Sequence, residues 1–222
     1  KDVWHTLLPI RGLQRGFSVK SILRNIMLPF RIVKSLLKTN NILKEFEPDV
    51  VIGTGGYASA IPLYMISKRN DSTTIILQEQ NSFPGITTRL FAKKANKVCI
   101  AFEEPNYTLG DNTVVTGNPV RKDIGEGNKK NGFYEFKLKE KNKTIFLFGG
   151  SQGSAYLNKL LGEIAEKISN SGIQLLWQTG DLEFQKYNHL ESENIRITPF
   201  VNNMADAYSI YDLIVCISGA LT

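Results

Sequence analysis

Short apolar runs rich in β-branched and aromatic residues alternate along this chain with longer stretches of helical periodicity. The runs at 50–53, 74–77, 97–101, 113–115, 144–148, 174–177, 196–198 and 213–216 read as strands. Helices are predicted over 18–44, 59–67, 85–94, 154–169 and 204–211, with Pro29 kinking or splitting the first. Most of the strands are continuously apolar, as strands covered by helices on both faces should be. Strand and helix in regular alternation predict an α/β protein built on parallel sheets.

The pattern lapses between 123 and 142, where Lys, Gly and Asn dominate; the first part of this stretch reads as a linker. A fresh strand-loop-helix unit starts at Thr144. Two domains are therefore expected, at 1–121 and 122–222, each incomplete. The last strand runs into a loop with no helix after it, and a βα unit before Lys1 would be expected. Cys99 and Cys216 lie far apart in apolar runs and read as buried, reduced thiols, which suits a cytoplasmic setting. No apolar run approaches the ~20 residues of a membrane span.

Charge adds a local feature. The net charge is +6, yet Val3 to Lys44 contains no Asp or Glu and carries Arg11, Arg15, Lys20, Arg24, Arg31, Lys34, Lys38 and Lys44. The remainder is slightly acidic, so the basic region needs a local partner. Its cations recur at three-, four- and seven-residue spacings among Ile22, Leu23, Ile26, Met27, Leu28, Phe30, Ile32, Val33, Leu36 and Leu37, more apolar residues than one core stripe needs. Contact with an anionic bilayer would use both sets. A solvated amphipathic helix with its apolar face in the core is the plainer reading. Nucleic acid is the third, and neither an aromatic stacking platform nor a basic reading motif supports it.

Three segments join a strand end, glycines and a helix start: V-V-I-G-T-G-G-Y-A-S at 50–59, F-L-F-G-G-S-Q-G-S at 146–154 and I-V-C-I-S-G-A-L-T at 214–222. Glycine lets backbone approach a ligand, and the N–H groups opening a helix attract an anion. None is a Walker loop or a complete G-x-G-x-x-G. Their presence in both halves fits a diphosphate ligand held in a cleft between two domains. The polar run Gln78-Glu79-Gln80-Asn81 at a strand end could read sugar hydroxyls or form an ordinary turn. His5 and His189 sit in polar or terminal surroundings and read as surface residues. With no Asp-x-Asp and no His/Cys cluster, neither a metal nor another cofactor is expected.

Six strings, in order, carry a resemblance: P-D-V-V-I-G-T-G-G-Y-A-S, Q-E-Q-N-S-F-P-G-I-T-T-R, V-T-G-N-P-V-R, G-G-S-Q-G-S-A-Y-L-N, F-V-N-N-M-A-D-A-Y and D-L-I-V-C-I-S-G-A-L-T. They run through nearly the whole chain, which resembles the MurG family of UDP-N-acetylglucosamine transferases. The resemblance implies a GT-B fold of two Rossmann-like domains. It implies transfer of N-acetylglucosamine from UDP to lipid I, the undecaprenyl-diphosphate-linked acceptor, at the cytoplasmic face of the bacterial membrane, with the protein held peripherally. Donor contacts would fall to Asn81, Arg121, Ser151, Gln152, Gly153, Val201 (through its backbone, to uracil), Ala220, Leu221 and Thr222. Gly55, Gly56, Tyr57 and Ser59 would meet the acceptor diphosphate. Lys20, Arg24, Ile26, Phe30, Arg31 and Lys34 would face the membrane.

The sequence departs from that family where Gln78 replaces a His and Ile217 an Arg. The His proposed as general base would precede Lys1, and a ribose-binding Glu would follow Thr222; a chain of these residues alone is expected to be inactive. Glu79 is the second choice of base. The implied reaction inverts the anomeric centre through an oxocarbenium-like transition state. Another lipid-directed sugar transferase, or a non-catalytic nucleotide-sugar or membrane-binding module, remains an alternative.

Overall fold

A computed structural model describes residues 5–10, 12, 18, 23, 25–69, 72–103 and 108–219. The chain divides into two compact units, Lys1–Asn118 and Pro119–Thr222, so the boundary lies three residues before the one expected from the sequence.

In the first unit, β1 (Val50–Gly53), β2 (Thr74–Glu79), β3 (Lys97–Ile100) and β4 (Thr113–Val115) form a parallel sheet in the order β1-β2-β3-β4. Helices α1 (Leu28–Phe46), α2 (Gly56–Ile66) and α3 (Ile86–Phe91) accompany it. Leu63, Ile66, Ile75, Leu77, Phe91 and Val98 make the centre of its core. Strand β2 outlasts its apolar run because pairing continues from Gln78 to Cys99 and from Glu79 to Ile100. Strand β1 departs from the expectation of two covered faces: Val50 and Ile52 are exposed at the sheet edge.

The break predicted at Pro29 is present. Leu23, Asn25 and Ile26 are helical, Met27 is a turn, and α1 begins with Pro29 in its first turn, where the missing N–H costs least. Helix α2 starts three residues before its expected position, with Gly55 as its N-cap. Helix α3 is shorter than predicted and ends in a 3-10 turn at Ala92–Lys94.

In the second unit, β5 (Thr144–Phe148), β6 (Gln174–Gln178), β7 (Ile195–Thr198) and β8 (Leu213–Cys216) form a parallel sheet in the order β7-β6-β5-β8. Every residue of β6 is buried. Phe146, Phe148, Leu176 and Ile210 pack on one face; Leu147, Leu161, Trp177 and Tyr187 pack on the other. The region read as a linker contains a 3-10 turn at Lys122–Gly125 and α4 (Lys129–Glu135). Asn128 caps α4, and Phe133 anchors it in the core. Helix α5 (Ala155–Asn170) is capped by Ser154, and α7 (Met204–Ile210) by Asn203. Helix α6 (Asp181–Tyr187) was not anticipated. Cys99 and Cys216 are free, as expected, but only partly buried.

Candidate functional site

In each unit the candidate loops leave the carboxyl ends of the strands, the edge where ligands bind in open parallel sheets. In the first unit, Gly53-Thr54-Gly55-Gly56 links β1 directly to α2. Gly55 and Gly56 have φ of 82° and 72°, and a Cβ at either would meet nothing within 4 Å. Glycine is therefore required here for its backbone conformation, and the space over both residues is open. No side chain caps the N-terminus of α2, whose dipole and first N–H groups face that space. The Ser59 hydroxyl donates back to the Gly55 carbonyl at 2.5 Å and also lies 3.0 Å from Gly56 O. Its proton is thereby used, and it can only accept from a ligand. Tyr57 is exposed beside it.

The second loop of this unit follows β2 and is organised by Glu79, which is 2% exposed. Its Oε1 accepts from the Asn81 N–H at 3.1 Å and Asn81 Nδ2 at 3.0 Å; its Oε2 accepts from the Gly85 N–H at 2.9 Å and Thr88 Oγ1 at 2.6 Å. Burial pushes this carboxyl up, but the bonds from Thr88, Gly85 and Asn81 outweigh burial and hold it below its ordinary value. A carboxylate with four donors and no access to solvent makes a poor base. Glu79 instead holds the side chain of exposed Asn81 in place.

Asn118 joins two of the sequence strings. Its Oδ1 accepts from Gln78 Nε2 at 3.3 Å, and its Nδ2 donates to the Gln80 carbonyl at 3.3 Å. Helix α3 connects the loops further, because Thr87 Oγ1 donates to the Gly56 carbonyl at 2.8 Å. The glycine turn and the Asn81 loop are thus fixed by neighbouring threonines on one helix.

In the second unit, Gly150 to Gly153 forms a tight turn, closed by the Gly153 N–H donating to the Gly150 carbonyl at 3.0 Å. Ser151 and Gln152 sit at its corners with exposed side chains. Gly150 has φ 84° and open space where a Cβ would lie. Gly153 is different, since a Cβ there would come within 1.8 Å of the Thr179 carbonyl. Gly180 reciprocates: its Cβ would sit 2.1 Å from the Gln152 carbonyl. Backbone packs on backbone, so neither glycine can carry a side chain.

Val201 is 2% exposed, and its N–H donates to Gln178 Oε1 at 2.8 Å. A ligand bonding that N–H would have to share it; the side chain itself is core. A cavity of about 320 Å³ adjoins this loop, lined in part by Phe136, Arg196, Thr198, Phe200 and Asn202. Arg121 is exposed and lies 3.9 Å from Asp123, a surface pair that contributes little. Strand order reverses between β5 and β8, which places the Gly150 turn and the 217–219 segment at the switch point of this sheet. Ala220, Leu221 and Thr222, like Lys20 and Arg24, lie outside the described residues.

The membrane candidates among the described residues sit on α1 and just before it. In α1, Ser35, Thr39 and Leu43 are the buried residues, whereas Phe30 (70%), Val33 (55%) and Leu37 (64%) are exposed, as is Ile26 before it. The reading with the apolar side in the core holds only in part: Leu43 joins the core, and Leu28, Leu36 and Ile42 are partly buried. Lys34 is exposed and Arg31 partly so, while Lys38 Nζ donates to the Leu7 carbonyl at 3.0 Å.

Sequence reasoning missed Gln178 and Asn158. Gln178 closes an apolar strand, and Asn158 joins the Thr179 carbonyl and Trp177 Nε1 at 2.8 and 2.9 Å from within a helix. Among the described residues no group of three or more His, Cys, Asp or Glu could hold a metal ion. None of the described helices is long and apolar enough to cross a membrane.

Residues 3–100 match the Glycosyltransferase family 28 N-terminal domain and 144–222 the Glycosyltransferase family 28 C-terminal domain. The chain is 40% identical over 217 residues to the UDP-N-acetylglucosamine--N-acetylmuramyl-(pentapeptide) pyrophosphoryl-undecaprenol N-acetylglucosamine transferase of Flavobacterium psychrophilum, covering 96% of this chain and 58% of that protein. It is 38% identical over 223 residues to the enzyme of that name from Christiangramia forsetii, covering 99% and 58%. It thus spans little more than half the length of these relatives. The crystal structure of Acinetobacter baumannii MurG superposes with a TM-score of 0.58 at 27% identity, over 87% of this chain and 54% of that one. A glycosyltransferase from Rickettsia africae, at 14% identity and a TM-score of 0.51 over 90% and 62%, shares the fold. With both domains of family 28 present in order, each on its own parallel sheet, the chain belongs to glycosyltransferase family 28.

Proposed function

We propose that this chain supplies both substrate-binding edges of an inverting transferase that moves N-acetylglucosamine from UDP to a lipid-diphosphate-linked N-acetylmuramyl acceptor. One observation carries the reading. In both units a glycine turn at the carboxyl edge opens a helix and leaves its backbone uncovered, at Gly55 and Gly56 before α2 and at Gly150 before α5.

The acceptor diphosphate binds at Gly55, Gly56 and Tyr57, on the N–H groups and positive end of α2. The donor diphosphate binds over the Gly150 turn, with Ser151 and Gln152 reaching its oxygens and Gly153 completing the turn. Ala220, Leu221 and Thr222, which follow β8 in sequence, add contacts to the donor. Val201 meets uracil through its backbone, and Asn81 and Arg121 add contacts to the donor. As the glycosidic bond to UDP breaks, negative charge grows on the leaving phosphate. Fixed backbone donors stabilise that charge without reorganising, the largest single contribution in many enzymes. Glu79 keeps Asn81 in position and does not take the proton.

The exposed apolar side of α1, flanked by Arg31 and Lys34, rests on the anionic surface that carries the lipid acceptor, so the protein is peripheral. The test is transfer by the full-length enzyme. Offered a panel of UDP-sugars and a short-chain lipid-diphosphate acceptor, it should use UDP-N-acetylglucosamine and give the β-linked product, read by mass and NMR. Preference for another sugar nucleotide, or no transfer, refutes the assignment.

A further inference from the structure

Gln178, the last residue of β6, bridges two loops that the donor reading uses separately. Its Nε2 donates to the Gly150 carbonyl at 2.9 Å, and its Oε1 accepts from the Val201 N–H at 2.8 Å. Only 3% of the residue is exposed. The orientation of the amide is set by its partners, because one is an acceptor only and the other a donor only. The Gly150 carbonyl also closes the Gly150–Gly153 turn. One side chain therefore fixes both the peptide that begins the diphosphate turn and the peptide expected to meet the base.

We propose that Gln178 is a positioning residue for the nucleotide: it sets the spacing between the diphosphate turn and the Val201 backbone to fit UDP. This rests on the donor assignment above. Gln178 need not touch the ligand. It acts because a buried amide satisfied at both ends holds two loops at one separation, and a ligand spanning both then loses less freedom on binding. The same geometry explains why glutamine serves and glutamate does not. An ionised carboxylate would still accept from Val201 but would set its second oxygen against the Gly150 carbonyl, acceptor facing acceptor. Protonated, that oxygen becomes a donor, and the neutral acid reproduces the amide.

This gives a test that distinguishes positioning from simple loss of fold. In the full-length enzyme, Gln178→Met removes both bonds at similar volume. It should weaken UDP binding by calorimetry, and raise KM for the sugar nucleotide, about tenfold at all pH values, with KM for the lipid acceptor unchanged. Gln178→Glu should be as impaired where its carboxyl is ionised and recover UDP affinity as falling pH protonates it, at a pH raised by burial. Amide exchange at Val201 should accelerate in Gln178→Met without any ligand. Unchanged UDP affinity in a folded Gln178→Met, equal loss for both substrates, or a pH-independent Gln178→Glu would overturn the role. If Gln178→Met does not fold, the pH response of Gln178→Glu decides alone. Wild-type enzyme that fails to bind UDP overturns the donor assignment and this role with it; the exchange measurement then reports separately whether the bridge exists.

Discussion

Thr88 Oγ1 donates to Glu79 Oε2 at 2.6 Å, and both residues are 2% exposed. This bond is the buried end of a cluster whose other end is the exposed side chain of Asn81. Replacing Glu79 by Gln puts an NH₂ where one oxygen now accepts two donors. The expected cost is about 1.5–3 kcal/mol, the range for a lost hydrogen bond to a charged group. Urea unfolding of wild type and Glu79→Gln measures it; equal midpoints and slopes would show that the cluster is not coupled to stability.

The same carboxylate sets a pH dependence. Its pKa is lower folded than unfolded. Its contribution is therefore complete above the unfolded value and is lost as the pH falls through the folded one. Wild type should lose stability over that acid range more steeply than Glu79→Gln. Urea midpoints taken down the acid limb would contradict this if the two proteins declined in parallel.

Gly153→Ala and Gly180→Ala each force a methyl group onto a carbonyl of the facing loop, at a φ that already disfavours it. Each should destabilise by roughly 2–4 kcal/mol. Gly55→Ala meets no clash and should lose only about 1–2 kcal/mol from its φ of 82°. It nevertheless covers backbone assigned to the acceptor diphosphate, so KM for the lipid should rise. Thermal unfolding ranks the three, and similar losses in all of them would mean that packing is not the cause.

Vesicle flotation tests α1. Phe30→Ser and Lys34→Gln should each weaken binding to anionic vesicles, by about fivefold for the lost charge. Raising the salt should abolish the Lys34 effect and leave the Phe30 effect. Binding that ignores both substitutions would remove α1 from the membrane contact.

The strands were legible as short runs of apolar, β-branched and aromatic residues, and β1, β4, β5 and β8 fall where the runs do, although of these only β5 is largely buried. Strand β2 ends later than its run because pairing, not side-chain polarity, carries Gln78 and Glu79. Helix α4 escaped notice because Phe133 is its main apolar residue, and packing against α7 completes it. The glycine turns were readable from composition, but their open or crowded surroundings were not. Nothing local marks Gln178: its two partners lie 28 and 23 residues away in sequence. Which apolar residues of α1 face the core was not legible, because periodicity gives a stripe without saying which way it points. Here Ser35 and Thr39 turn inward with Leu43, whereas Phe30, Val33 and Leu37 do not.

That exposed stripe governs how the protein will handle. With hydroxyl groups on two of its three buried residues, α1 seats only Leu43 fully in the core of its unit, so it should be among the first segments to open and exchange. In plain buffer its uncovered flank should drive self-association as concentration rises. A mild detergent that coats Phe30, Val33 and Leu37 should keep the protein monodisperse, and preparations without one should lose material to aggregates first.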